Sequence, residues 1–401
     1  MKSNFYRKIL KNGMTIILEK RKLPVVSIAF AVRNGGVNEK EEEKGISHFI
    51  EHLLYKGTPT RSSKKIADEI EKRGGQLNGF TSEELTAYWC KIPSKHIKVA
   101  LDVLSDMIKN PLFNEKEIEK ERLVIFEEIK MYHDTPRLYV FDEIQKSLYD
   151  KTMGINLAGT FETMNSITRE KIIKKFKQVY TPNNLILCVV GDADFNSLVD
   201  FAEKNFDNKK GNVPFNKFNM KNDSKIEFRS GIDQANLVFA YHSPLAGDDK
   251  SYASLILNTL MAGGMSSRLF SEIREKRNLA YAVKGECSIN KTFSYSLIYV
   301  GTMKENISKI KELILEEFEK VSKTLDEKEL KEIKDQLIGN YYISMEDSQN
   351  QMVSLLINEI QGSAKDFYDF EKKISQVTLN DVKKLASNVK NDYSFFALIP
   401  K

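Results

Sequence analysis

The sequence predicts an α+β protein built from two similar domains, each a mostly antiparallel sheet with helices packed on one face. Two observations carry this. The chain has 401 residues, more than one ordinary hydrophobic core accommodates. Its two halves also repeat the same order of elements at an offset of about 207 to 212 residues. Composition alone does not keep element order and spacing together over that length, so two copies of one α+β architecture follow.

The first half opens with "MKSNFYRKILKNGMTIILEK", whose short apolar runs flank Asn12-Gly13. This predicts two strands around a turn, not a signal peptide. "PVVSIAFAVRNGG" reads as a strand, "KGISHFIEHLLYKGT" and "SSKKIADEIEKRGG" as helices, and "QLNGFTSEELTAYWCKI" as two alternating strands around "TSEE". Helices are expected from Ser94 to about Leu148. The second half answers with "QANLVFAYHSPLAG", "DDKSYASLILNTLMAGG", "SSRLFSEIREKRN" and "LAYAVKGECSINKTFSYSLIYVGT", then helices from Lys304 onward. Later, "SITREKIIKKFKQVYTPNNLILCVVGD" faces "QVTLNDVKKLASNVKNDYSFFALIP". Residues 206–225, "FDNKKGNVPFNKFNMKNDSK", lack either periodicity and read as a linker. The expected domains are therefore 1–205 and 226–401.

Composition narrows the function. The 61 basic and 56 acidic residues leave a net charge of +5 with no long block of one sign. Charges mix along helical segments such as "EKEIEKERLVIFEEIK", as on solvated helix faces, so no nucleic-acid partner is expected. No window approaches eighteen apolar residues, so neither a membrane span nor a membrane partner is expected. Cys90, Cys188 and Cys287 lie far apart without a C-x-x-C pair, which argues against a disulfide framework or a thiolate metal site. A cytoplasmic protein is the expectation.

The candidate chemistry lies in "GISHFIEHLLYKGT". In a helix His48 and His52, four apart, share a face and aim two imidazoles at one point, with Glu51 close to that face. Two neutral imidazoles and a carboxylate are a common ligand set for catalytic zinc, and a further carboxylate can take a proton from attacking water. This H-x-x-(D/E)-H spacing arises by chance on the order of once in a hundred chains of such composition, which favours a site over two packed histidines. A third ligand is then needed from another helix. "EKERLVIFEEIKMYHDTP" offers Glu121, Glu127 and Glu128. Glu121 and Glu128 are two helical turns apart on one face, with Glu127 pointing about 100 degrees away. Periodicity alone does not choose among them.

These residues closely resemble the inverted-zincin peptidases of the pitrilysin and mitochondrial-processing-peptidase type, family M16, whose pattern is H-x-x-E-H followed some seventy-odd residues later by a ligand glutamate. A second glutamate stands seven residues before that ligand. Here residues 53–127 separate His52 from Glu128, and Glu121 is seven before it. The resemblance implies one zinc ion per chain held by His48, His52 and Glu128, with Glu51 as general base and Glu121 orienting a ligand. It also implies the LuxS/MPP-like metallohydrolase fold.

"GGQLNGFTSEELTAYW" resembles the family segment whose edge strand receives the substrate backbone, which points to Asn78, Gly79, Phe80 and Thr81 as substrate contacts. Related chains often carry Asn-Ala where this one has Asn78-Gly79. In the second half, "YASLILNTLMAGG" replaces the metal helix and contains neither histidine nor acid. "GGMSSRLFSEIREKRNLAYAV" nevertheless resembles the family stretch in which an arginine and a tyrosine seven residues on reach the catalytic chamber, here Arg274 and Tyr281. Their implied roles are to bind substrate carbonyls and stabilise the oxyanion.

The resemblance thus implies a zinc endopeptidase acting on short or unfolded peptides inside a closed dimer chamber. A homodimer is expected because one chain carries both catalytic halves; a heterodimer with a related chain is the alternative. Two rival readings are a non-catalytic binding or assembly subunit of the same fold and a metal-dependent hydrolase acting on something other than peptides.

Overall fold

The computed structural model describes residues 4–401. It contains two compact units. Unit 1 comprises Met1–Lys130, Ile155–Lys217 and Ser344–Phe367; unit 2 comprises Met131–Gly154, Phe218–Ile343 and Tyr368–Lys401.

Unit 1 is built on six strands: β1 (Phe5–Ile9), β2 (Thr15–Lys20), β3 (Val25–Val32), β4 (Gln76–Thr81), β5 (Thr86–Pro93) and β6 (Leu185–Gly191). Their order in the sheet is β1-β2-β6-β3-β5-β4, and only the β2–β6 pairing is parallel. The Asn12-Gly13 pair turns the chain between β1 and β2 as expected. Gly13 adopts φ +90°, open to glycine at no steric cost, and Asn12 Oδ1 accepts from Met14 N at 3.1 Å.

The alternation of β3 divides it between two layers. Val26, Ile28, Phe30 and Val32 enter a core shared with Phe49 and Ile50 of helix α1 (Ile46–Leu54) and with Val103 and Leu104. On the other face Ser27 Oγ meets Ser348 Oγ at 2.9 Å. Cys188 of β6 likewise approaches the carbonyl of Met352, its Sγ 3.8 Å away. The helix Ser348–Gln361, from the far end of the chain, covers this second face through small residues. The expected helix layer is thus present, and a second one lies opposite it. That is why β3 is buried along nearly its whole length rather than in alternation.

Unit 2 repeats the plan with β7 (Ser224–Arg229), β8 (Ala235–His242), β9 (Ala280–Ile289), β10 (Ser294–Thr302) and β11 (Ser394–Pro400), in the order β7-β11-β8-β10-β9. Again one pairing is parallel, β7 with β11. Phe395, Ala397 and Ile399 enter the core, whereas Phe396 meets the Tyr139 ring at 6.1 Å on the opposite face. Tyr139 belongs to the helix Pro136–Leu148, contributed by the first half of the sequence. Each unit therefore takes most of its residues from one half and a covering helix from the other.

Residues 206–217 run along unit 1, where Asn38 Nδ2 donates to the Pro214 carbonyl at 2.8 Å and Asn216 Nδ2 to the Glu39 carbonyl at 2.6 Å. Among the described residues no helix is long and apolar enough to cross a membrane.

Candidate metal centre

Helix α1 starts where backbone geometry and a buried acid permit it. Gly45 precedes the helix at φ +97°, and a Cβ there would stand 2.7 Å from the Ala158 carbonyl, so the position takes glycine. Glu39, almost fully buried, accepts from Ser47 N at 2.6 Å and Gly45 N at 3.0 Å. Its carboxylate satisfies two amides at a helix end whose dipole favours negative charge. The apolar residues Ile46, Phe49, Ile50, Leu53 and Leu54 then face the core, which turns His48, Glu51 and His52 toward β4 and a second helix.

That helix, α2 (Glu115–Asp134), supplies the acids. Ile118 and Ile125 anchor it in the core. Arg122 fixes it more specifically: its guanidinium bonds the Met164 carbonyl, donates to the Ile167 carbonyl at 3.0 Å and lies 5.4 Å over the Phe49 ring of α1. Glu121 and Glu128 consequently face α1, while Glu127 points outward and pairs with Lys130 at 2.7 Å.

His48, His52 and Glu128 come together with one ligand atom from each within 4.8 Å of the others. His48 Nε2 lies 3.7 Å from Glu128 Oε2, and His52 Nε2 lies 3.7 Å from Glu128 Oε1. Ligands about 2.0–2.1 Å from a tetrahedral metal ion stand roughly 3.3 Å apart, so these two imidazole–carboxylate separations are a few tenths of an ångström wider than in a loaded site. Glu128 Oε2 is buried without a hydrogen-bond partner, an arrangement a cation would satisfy. The donor set of two imidazoles and a carboxylate therefore fits a tetrahedral divalent ion.

Burial dominates the electrostatics of these groups. Burial, reinforced by the neighbouring His52, pushes the His48 imidazole down to about 3 and keeps it neutral. Burial also raises Glu51 to about 6 against the opposing effects of His52 and the Thr81 hydrogen bond, with Glu128 adding to the rise. Glu128 is raised by burial and by Glu121, with His52 opposing. His52 directs Nδ1 to Glu121 Oε2 at 3.2 Å, leaving Nε2 for the cluster. Glu121 is held in turn by Lys56 Nζ at 2.5 Å.

The edge strand β4, expected to receive substrate, lies beside these groups. β4 ends the sheet order, Asn78 is exposed on it, and Thr81 Oγ1 donates to Glu51 Oε2 at 3.2 Å. Phe80 is half-buried. Arg274 and Tyr281 belong to unit 2. Arg274 lies in the short π-helix Phe270–Glu275 with its guanidinium 4.8 Å from the Phe270 ring. Tyr281 is 47% exposed on β9, where the register with β10 slips between Gly301 and Thr302. A bulge of this kind re-aims a side chain. Sequence spacing alone does not reveal the supporting roles of Arg122, Lys56 and Glu39. Only Lys56, four residues after His52, carried a positional signal for them.

Residues 15–160 match the model of the insulinase family, peptidase family M16, and residues 166–337 match that of the peptidase M16 inactive domain. An uncharacterized zinc protease of Bacillus subtilis, YmxG, is 32% identical over 397 residues, which cover 97% of each chain. The chain belongs to peptidase family M16. An uncharacterized zinc protease of Rickettsia felis is 34% identical over 353 residues, covering 86% of this chain and 85% of the relative. Among solved structures, a protease from Helicobacter pylori superimposes with a TM-score of 0.92 at 21% identity, over 99% of this chain and 100% of that one. A Pseudomonas fluorescens peptidase M16 inactive domain gives 0.87 at 18% identity, over 99% and 98%. These structures share the M16 fold, two mixed α+β sheet domains, with this chain.

Proposed function

We propose that this M16 chain is a zinc endopeptidase that cleaves short or unfolded peptides, with zinc held by His48, His52 and Glu128. The observation that carries the reading is the convergence of these three side chains, with Glu51 beside them and Glu121 on the far nitrogen of His52. Bound zinc supplies Lewis-acid polarisation of a water and of the scissile carbonyl. Glu51, poised near neutrality by its burial, accepts the proton of the attacking water and returns it to the leaving amine. Thr81 keeps that carboxylate oriented. The open edge of β4 offers main-chain pairing to an extended peptide, with Asn78, Gly79, Phe80 and Thr81 along it. Arg274 and Tyr281 bind substrate carbonyls and the developing oxyanion, and two copies of the chain close a chamber that excludes folded proteins by size. The three free cysteines agree with a cytoplasmic location.

A chelator-sensitive cleavage assay on a mixed peptide library tests this. Metal-loaded protein is expected to cleave, and Glu51→Gln to lose about 10²–10⁴-fold in kcat. Equal inertness of the two across the library would sink the peptidase reading and favour a binding or assembly role for this fold.

A further inference from the structure

The active face of α1 does not end at His52. Tyr55 follows Glu51 by four residues and His48 by seven, so it continues the same stripe. Its hydroxyl is buried and has no hydrogen-bond partner. A Cβ on Gly79 would stand 2.5 Å from that hydroxyl and 2.9 Å from Glu51 Oε1. By carrying no side chain there, β4 leaves the hydroxyl and the carboxylate oxygen facing one small space. Two other tyrosines in this region, the buried Tyr88 and the partly buried Tyr180, already satisfy each other, meeting hydroxyl to hydroxyl at 2.7 Å. Glu51 Oε2 accepts from Thr81, whereas Oε1 borders the same space at Gly79 as the Tyr55 hydroxyl.

We propose that Tyr55 is a positioning residue for Glu51, its hydroxyl donating to Oε1 while Thr81 donates to Oε2, and that Gly79 provides the room in which they meet. Buried hydroxyls are almost always paired, and the space at Gly79 that the hydroxyl borders is also bordered by Glu51 Oε1 and by the Ala87 carbonyl, each 2.9 Å from the position of a Cβ there. A carboxylate has about four lone-pair sites, so two donors fix its plane and leave others to receive a proton. The inference rests on the reading of Glu51 as general base.

Tyr55→Phe tests it, because the ring and its packing are retained. The expected result is a fall in kcat of about tenfold or more, with KM and bound zinc unchanged. Wild-type kcat in this variant would overturn the inference. A second readout needs neither metal nor turnover: in metal-free protein, Tyr55→Phe should shift the urea midpoint less in a Glu51→Ala background than in the wild type. Equal shifts would reduce Tyr55 to a packing residue and also overturn the proposal. If the wild-type chain showed no chelator-sensitive cleavage, the general-base reading would fail by itself, and the unfolding comparison would still decide whether the two side chains meet.

Discussion

His52 Nδ1 stands 3.2 Å from Glu121 Oε2, and the same carboxylate is gripped on Oε1 by Lys56 Nζ at 2.5 Å. The imidazole is thereby fixed in the tautomer that presents Nε2 to Glu128. Carboxylates behind a ligating histidine orient it and raise its basicity. Glu121→Gln removes the charge while keeping the shape. Its zinc affinity is expected to fall about 10–100-fold in competition against a chromogenic chelator. Wild-type affinity would show that the ring is oriented by packing alone.

How far the site was legible depended on the range of each interaction. His48, Glu51 and His52 were readable because a helix converts four-residue spacing into a common face. The third ligand was not readable from periodicity, since Glu121 and Glu128 share one face of their helix. Only the tertiary approach separates them: Glu128 reaches both Nε2 atoms, and Glu121 turns to Nδ1. The family pattern supplied the same choice. Beyond its pair with Glu119 one turn back, the partners by which Arg122 anchors the helix are backbone carbonyls 42 and 45 residues away, which carry no residue-type signal. The exchange of covering helices was hidden for a similar reason. Ser348–Gln361 is held on unit 1 by partners more than 300 residues away, Arg7 and Arg33 on Glu359 and Glu19 on Gln351, which no local pattern displays.

Arg122 makes a second prediction. Its side chain is nearly buried and supplies donors to two carbonyls as well as a cation over Phe49. Arg122→Met keeps most of the volume and leaves those carbonyls without donors. A loss of about 2–3 kcal/mol in urea unfolding is expected. Because the same contacts seat the helix that carries Glu128, zinc affinity should drop in parallel. Unchanged affinity with lowered stability would separate the helix anchor from the metal site.

The raised pKa of Glu51 gives a pH-dependent signature in the metal-free protein. Its carboxyl titrates near 6 when folded and near 4.5 when unfolded, so between these values the folded chain holds a proton that the unfolded chain has released. Stability from this group is therefore highest below about pH 4.5 and is lost as pH rises through 6. Glu51→Gln lacks this loss. At pH 7.5 the metal-free variant should exceed wild type by up to about 2 kcal/mol, from a shift of about 1.5 pH units. The advantage should shrink as pH falls from 6 to 4.5. His48 acts with the opposite sign, since its folded pKa lies near 3, below the ordinary 6.5. Its contribution is lost as pH falls through that window in both proteins and cancels in the comparison. A difference between variants that does not vary with pH would contradict the burial of the Glu51 carboxyl.

The proposed dimer makes the last prediction. The metal cluster belongs to unit 1, and Arg274 and Tyr281 belong to unit 2 of the same chain. The proposed homodimer could join the two sets within one copy or across two. If they act across copies, Glu51→Gln and Arg274→Ala chains are each inactive as homodimers for different reasons. A mixed dimer would then pair an intact metal half from one copy with an intact Arg274 half from the other. Co-refolding the two variants with distinct affinity tags isolates that species. Random assortment makes half of the dimers mixed, each with one complete chamber of two, so recovery of about a quarter of wild-type activity is expected in the unfractionated pool. Action within one copy instead leaves every chamber in the mixed dimer damaged, and activity would stay at the level of the parental homodimers.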